Sequence, residues 1–225
     1  MSQIEKYIIR SIHKEQTKEW LKYKHYAKRI PSIRYSFGLY DDDKLIGVCT
    51  YGNPISKELC DNVCGKKWRN NVLELNRLVV NENLPKNTLS YFVAHTFYKL
   101  PQPSIIVSYA DTEQNHSGYI YQATNWIYTG LTKKNYDWKE KGTNKHSRTL
   151  GDSFSTEYMY AHPERFERIP RSQKHRYIMI LAKKRLKKRM INSLGYEVQP
   201  YPKGDNKRYD ASHNTTTQLN MFNGV

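Results

Sequence analysis

Hydrophobic and polar positions alternate in short blocks along this chain, and the period of the alternation changes repeatedly. Residues 5–12 (EKYIIRSI) predict a strand, and residues 15–24 predict a helix with Trp20 and Tyr23 on one face at i, i+3 spacing. Residues 35–40 (YSFGLY) and 45–52 (LIGVCTYG) read as a hairpin around the turn Asp41-Asp42-Asp43-Lys44. Residues 53–70 read as loop, and residues 72–80 (VLELNRLVV) as a fourth strand. Asn87 or Thr88 can cap a helix that continues through Leu100 and is ended by Pro101 and Pro103. The apolar run SIIVSY at 104–109 predicts a buried central strand. A short helix at 117–123, a strand at 126–131 and a further strand near 146–150 complete the pattern. Interleaved strands and helices predict a mixed α/β (α+β) domain with a central mixed sheet flanked by helices.

With 225 residues, one domain with a tail is expected, long enough to bury a core. Residues 1–160 form the expected main domain, 161–204 a basic C-terminal extension, and 205–225 a tail whose TTTQ and scattered Asn read as disordered. No apolar stretch reaches the ~18 residues of a membrane helix, and the start lacks a secretory h-region. A cytoplasmic protein without a membrane partner is the expectation. The three cysteines, an odd number with no finger-like histidine nearby, read as reduced structural thiols.

Charge alters this picture most. Thirty-seven Lys and Arg against 21 Asp and Glu give +16, which points to a polyanionic partner, above all nucleic acid. Between residues 162 and 189 there are eleven cations and two acids, culminating in AKKRLKKRM. Lys183, Lys184, Arg185, Lys187, Lys188 and Arg189 are the expected phosphate contacts; a solvated helix face is the plainer alternative.

The common phosphate-loop, nucleophile-elbow, zinc-protease and dinucleotide motifs are absent. Candidate chemistry gathers at His25-Tyr26-Ala27-Lys28-Arg29, at Glu74-Leu75-Asn76-Arg77-Leu78, and from Ser108 to Ala123. Asp111 leaves the carboxyl end of a central strand, where sheets of this class place ligands, although an Asp there also caps turns. Arg77 within an apolar strand needs an anionic partner, either an internal carboxylate or a bound anion. Tyr119, Tyr121 and Trp126 are candidates for stacking on a base, with Trp126 favoured as core.

The segments HYAKRIP, ELNRLVV, SYAD, H-x-G-x-IYQA-x-NWIYTG, HSRT, KHRY and PYPKG follow one another in an order that resembles the Mom family of bacteriophage DNA-modification proteins. The resemblance runs from about residue 23 to 204. It implies a fold similar to GNAT acetyltransferases and conversion of adenine in double-stranded DNA to a carbamoylmethyl (acetamido) derivative that shields phage DNA from restriction. It also implies iron and acetyl-CoA or another group donor. By motif, the catalytic set falls on His25, Tyr26, Arg77, Ser90, Asp111 and Tyr121. Iron would then fall to His25, Tyr26 and Asp111, and the donor to Arg77 and Ser90. The loop before Ser90, NLPKNT at 83–88, carries no glycine that would let backbone wrap a pyrophosphate. Two other readings compete: a GNAT-type N-acyltransferase acting on a small amine or protein, and a non-enzymatic basic DNA-binding protein.

Overall fold

The structure, a computed structural model, describes residues 4–25, 28–145 and 147–203. Tyr26, His146 and the expected tail at 205–225 lie outside the described residues. Seven strands form the main sheet: β1 (Ile8–Ser11), β2 (Tyr35–Asp41), β3 (Lys44–Gly52), β4 (Val72–Val80), β5 (Ser104–Asp111), β6 (Ile127–Leu131) and β9 (Lys174–Leu181). Their order is β1-β2-β3-β4-β5-β9-β6. A second sheet pairs β7 (Asn135–Glu140) with β8 (Phe166–Arg171). All neighbours are antiparallel except β4 and β5. The helices are α1 (Lys57–Asn62), α2 (Thr88–Phe97), α3 (Tyr119–Ala123), α4 (Ser147–Ser153), α5 (Thr156–Ala161) and α6 (Lys184–Asn192). The expected mixed sheet flanked by helices is observed.

Strand alternation sets two faces. One carries Phe37, Leu39, Leu73, Leu75, Ile106, Tyr177 and Met179 under α2 and α3. The other carries Val72, Ile105, Val107, Ile178 and Ile180, covered by Val63, Cys64 and Met190 from the segments around α1 and α6. Among the described residues no helix is long and apolar enough to cross a membrane.

Several expectations are corrected. The first helix is broken into a 3₁₀ turn (Lys14–Thr17) and a π turn (Trp20–Lys24); Thr17 and Leu21 are wholly buried, while Tyr23 stays exposed. The expected loop at 53–70 contains α1, capped by the Ser56 hydroxyl on the Leu59 N–H, and a 3₁₀ turn (Lys66–Asn71). The strand expected near 146–150 is α4, because its one strong apolar residue, Leu150, packs with Met159 and Phe166 in a small satellite core. The strand of this region is β7, earlier in the chain. The boundary expected at residue 160 does not separate the strands: β9 is inserted between β5 and β6. All three cysteines are free, and burial pushes the Cys49 thiol up to about 12 and Cys64 to about 11, so neither is a ready nucleophile.

Candidate active site

The parallel pair β4–β5 is hydrogen-bonded only over Val72–Glu74 and Ile105–Val107. Beyond that point β4 follows β3 as far as Val80, β5 follows β9 as far as Asp111, and the two strands splay. Carboxyl ends of parallel strands are where such sheets seat ligands. The opening is laced by side chains. Ser108 Oγ lies 2.8 Å from the Leu75 carbonyl and 2.7 Å from the Tyr121 hydroxyl. A carbonyl only accepts, so Ser108 gives its one proton to Leu75 and receives that of Tyr121. Tyr121 is fixed from behind by Trp126 and Tyr177, each ring centroid 5.0 Å away. Gly118, at φ +82°, starts α3 so close to Tyr177 that a Cβ would meet the ring at 2.3 Å. Trp126 is core, as favoured, at 1% exposure, and Tyr119 is exposed.

On the β3 side a bulge turns β4. Thr50 pairs with Arg77 and Tyr51 with Leu75, leaving Asn76 as the extra residue. Asn76 accepts from Thr50 Oγ1 (2.6 Å) and donates to the Ser32 carbonyl (3.0 Å). The Arg77 guanidinium donates to the carbonyls of Arg29 (3.4 Å) and Asn76 (2.6 Å). Backbone carbonyls thus join the partners of Arg77, where the sequence pointed to a carboxylate or anion. Together these bonds pin the segment after His25 to the sheet. Gly52 is required beneath it, since a Cβ there would lie 1.9 Å from the Ser32 oxygen. His25 is buried; burial first, and then the Arg77 charge, push its imidazole down to about 3. It is therefore neutral at physiological pH, able to hydrogen-bond but a poor store for a proton.

Asp111 ends β5. Its carboxylate accepts from the Glu113 N–H (3.1 Å) and pairs with Lys174 (2.9 Å). Burial raises its pKa, but the Lys174 ammonium, the Ser172 hydroxyl and the Glu113 N–H outweigh burial and hold it below the usual carboxylate range. His116 lies within its field: burial lowers the imidazole pKa and Asp111 opposes that shift. Ser90 sits in the first turn of α2, donating to the Asn87 carbonyl (3.0 Å). Asn87 stands at the N-cap, but its side chain makes no capping bond. The loop that lacks glycine places Asn83 (φ 58°) and Asn87 (φ 71°) in the left-handed region, the role glycine fills elsewhere.

Arg77 and Asp111 lie toward the carboxyl ends of β4 and β5, Ser90 in the first turn of α2 after β4, and Tyr121 reaches β5 through Ser108; His25 lies in the field of Arg77. The residues expected to hold iron do not fit a metal. Asp111 is held by an ammonium, His25 faces a guanidinium, and Tyr26 is outside the described residues. No cluster of three or more His, Cys, Asp or Glu occurs among the described residues. Sequence reasoning assigned no role to Ser108, Asn76 or Lys174, although SYAD, ELNRLVV and KHRY mark their segments.

The basic run forms α6. Leu186, Met190 and Ile191 pack into the second face, while Lys183, Lys184, Arg185, Lys188 and Arg189 are exposed and Lys187 is half-buried. None of the six is in an ion pair among the described residues. The helix follows Leu181, which pairs with Ser104, whereas Lys174 pairs with Asp111. It therefore starts at the opposite end of β5 from Asp111, about 23 Å away at ~3.3 Å per residue.

The chain is thus a mixed α/β protein with polar side chains where the parallel strands β4 and β5 part and a basic helix on one face. The sequence model of the Mom protein family matches residues 6–203, and the chain belongs to that family. It is similar to methylcarbamoylase Mom of Escherichia phage Mu, with 27% identity over 190 residues that cover 80% of this chain and 77% of the relative. Similar solved structures include an N-acetyltransferase from Staphylococcus aureus Mu50 (12% identity, TM-score 0.45, covering 78% of this chain and 98% of that one). Arabidopsis thaliana NAA60 in complex with acetyl-CoA is another (10% identity, TM-score 0.47, 77% and 99%).

Proposed function

We propose that this protein is a DNA-modifying transferase that converts adenine in duplex DNA to its N6-carbamoylmethyl derivative, acting in the host cytoplasm to protect phage DNA from restriction. The observation that carries this reading is the 27% identity with a methylcarbamoylase, extending over 80% of the chain. The net charge of +16 and the exposed cations of α6 suit a polyanionic substrate. In the reaction an N6–H bond of adenine and the bond from the donor's CH₂ carbon to its leaving group break and an N6–CH₂ bond forms; the amine loses its proton to a base, and the bonding pair departs with the leaving group. We assign Asp111, ionised at neutral pH, to orient that amine or take the proton, and Tyr121, with its hydroxyl set by Ser108, to line the cleft beside it. Arg77 positions the His25 segment. Ser90 and the first N–H groups of α2 would hold the anionic part of the group donor, because helix N-termini favour anions. Reaching N6 requires flipping the base, at a cost of a few kcal/mol offset by stacking and phosphate contacts.

Plasmid DNA from cells expressing the protein, digested to nucleosides and examined by mass spectrometry, should contain a deoxyadenosine heavier by one carbamoylmethyl group. Unmodified DNA would overturn this reading, and acetylated protein or small amines in its place would favour the acyltransferase alternative. Replacing Lys183, Lys184 and Arg185 together by Ala should weaken duplex binding at all sequences alike. The log–log salt slope should flatten by about 0.9 for each phosphate no longer neutralised, as read by fluorescence anisotropy across a salt series. An unchanged slope returns α6 to a merely solvated face.

A further inference from the structure

The segment between β6 and β9 forms a small unit of its own. Its two strands, β7 and β8, pair only with each other and close over their own core of Leu150, Met159, Phe166, Trp138 and Phe154. The two faces of this ribbon differ. On one, Asp137 is bonded by both Nε and Nη2 of Arg171, and Lys139 faces Glu167 at 3.7 Å, so the charges cancel. On the other, the face whose Trp138 and Phe166 carry the satellite core, Arg168 lies at the edge of that core, 4.5 Å over the Tyr136 ring and 5.6 Å over Tyr160 of α5, and donates to the Tyr160 hydroxyl at 2.7 Å. It has no carboxylate partner among the described residues, and Tyr136 and Tyr160 are 51% and 56% exposed. The result is a guanidinium fork held in a fixed plane, with its charge uncancelled and open to solvent.

The root of the ribbon is tied beside Asp111. Thr112 Oγ1 donates to the Gln173 carbonyl (2.7 Å), Gln173 Nε2 to the Thr132 carbonyl (2.6 Å), and the Lys174 N–H to Thr132 Oγ1 (3.0 Å). Lys133 and Lys134, both exposed, lead from that root into β7. We propose that the β7–β8 ribbon reads duplex DNA: Arg168, clasped by Tyr136 and Tyr160, addresses base edges in the major groove, with Lys133 and Lys134 on the flanking phosphates. A two-stranded ribbon fits that groove, and a rigid Arg fork matches the two acceptors of guanine. The inference rests on the reading of duplex DNA as substrate and adds the element that selects the site.

The test uses the full-length protein and a pool of labelled duplexes of random sequence, with the bound fraction sequenced. The wild type should enrich a short motif. Arg168→Lys keeps the charge but not the fork; it should lose the preference at one position and bind the enriched duplex about tenfold more weakly, with the salt slope preserved. Arg168→Gln, which keeps a planar group over the tyrosines, is the second variant and should show the same loss of preference. Enrichment unchanged in both variants, or absent from the wild type, overturns the proposal. The nucleoside assay separates the two readings. Modified adenine with no dependence of enrichment on Arg168 removes the ribbon alone. Arg168-dependent enrichment by a protein that modifies nothing removes the transferase alone.

Discussion

Asp111→Asn is expected to lower the yield of modified deoxyadenosine by about a hundredfold or more, the scale of a lost acid–base group, while duplex affinity stays close to wild type. The substitution is nearly isosteric. Its amide oxygen can still accept the Glu113 N–H and keep the 3₁₀ turn (Thr112–Gln114) capped. What disappears is the negative charge facing Lys174, whose side chain is 39% exposed and can turn to water. The fold should therefore survive with a modest drop in melting temperature. The pH dependence gives a second signature. Because the Asp111 pKa is held down in the folded protein, its contribution to stability is present above the unfolded carboxyl value of about 3.9 and is lost as pH falls through the folded value. The variant should lack that acid-side loss, so the stability gap between the two proteins narrows toward low pH. Normal modification by a folded variant would make Asp111 a cap alone.

A fragment ending at residue 160 is expected not to fold. Tyr177, Ile178, Met179 and Ile180 of β9 are all buried, serving both faces of the sheet. Removing β9 also strips the ladder partners of β5 along its whole length and separates β6 from the sheet. Each buried Ile or Met contributes about 1.5–3 kcal/mol, so the loss rivals the whole net stability of a domain, about 5–15 kcal/mol. Circular dichroism and amide NMR dispersion of the fragment 1–160 should show an unfolded or aggregated chain. A cooperative melt would show that the sheet closes without β9.

Much of this architecture is legible in the chain where a segment dictates its own environment. VLELNRLVV forms β4 over the residues expected, and SIIVSY lies in β5, because a strand buried on both faces needs an apolar run. KHRYIMIL has the same character, yet the eleven cations in and around it mask its place inside the sheet. Asp111 and Tyr121 could be singled out by motif and position. Ser108 could not, because its hydroxyl matters only once β4 and β5 part, and that parting is a tertiary event. The same holds for Arg77: a strand sequence shows a guanidinium but not the bulge at Asn76 that aims it at the carbonyl of Arg29.

The satellite core under β7 and β8 has a consequence for how such a protein can diversify. Leu150, Met159 and Phe166 form a cluster separate from the three that fill the main sheet. Substitutions in sites that share no partners add nearly independently, so changes on the ribbon leave the packing around Ser108 and Tyr121 undisturbed. A lineage under shifting pressure could therefore revise the exposed side of the ribbon freely while the chemistry next to Asp111 is inherited intact.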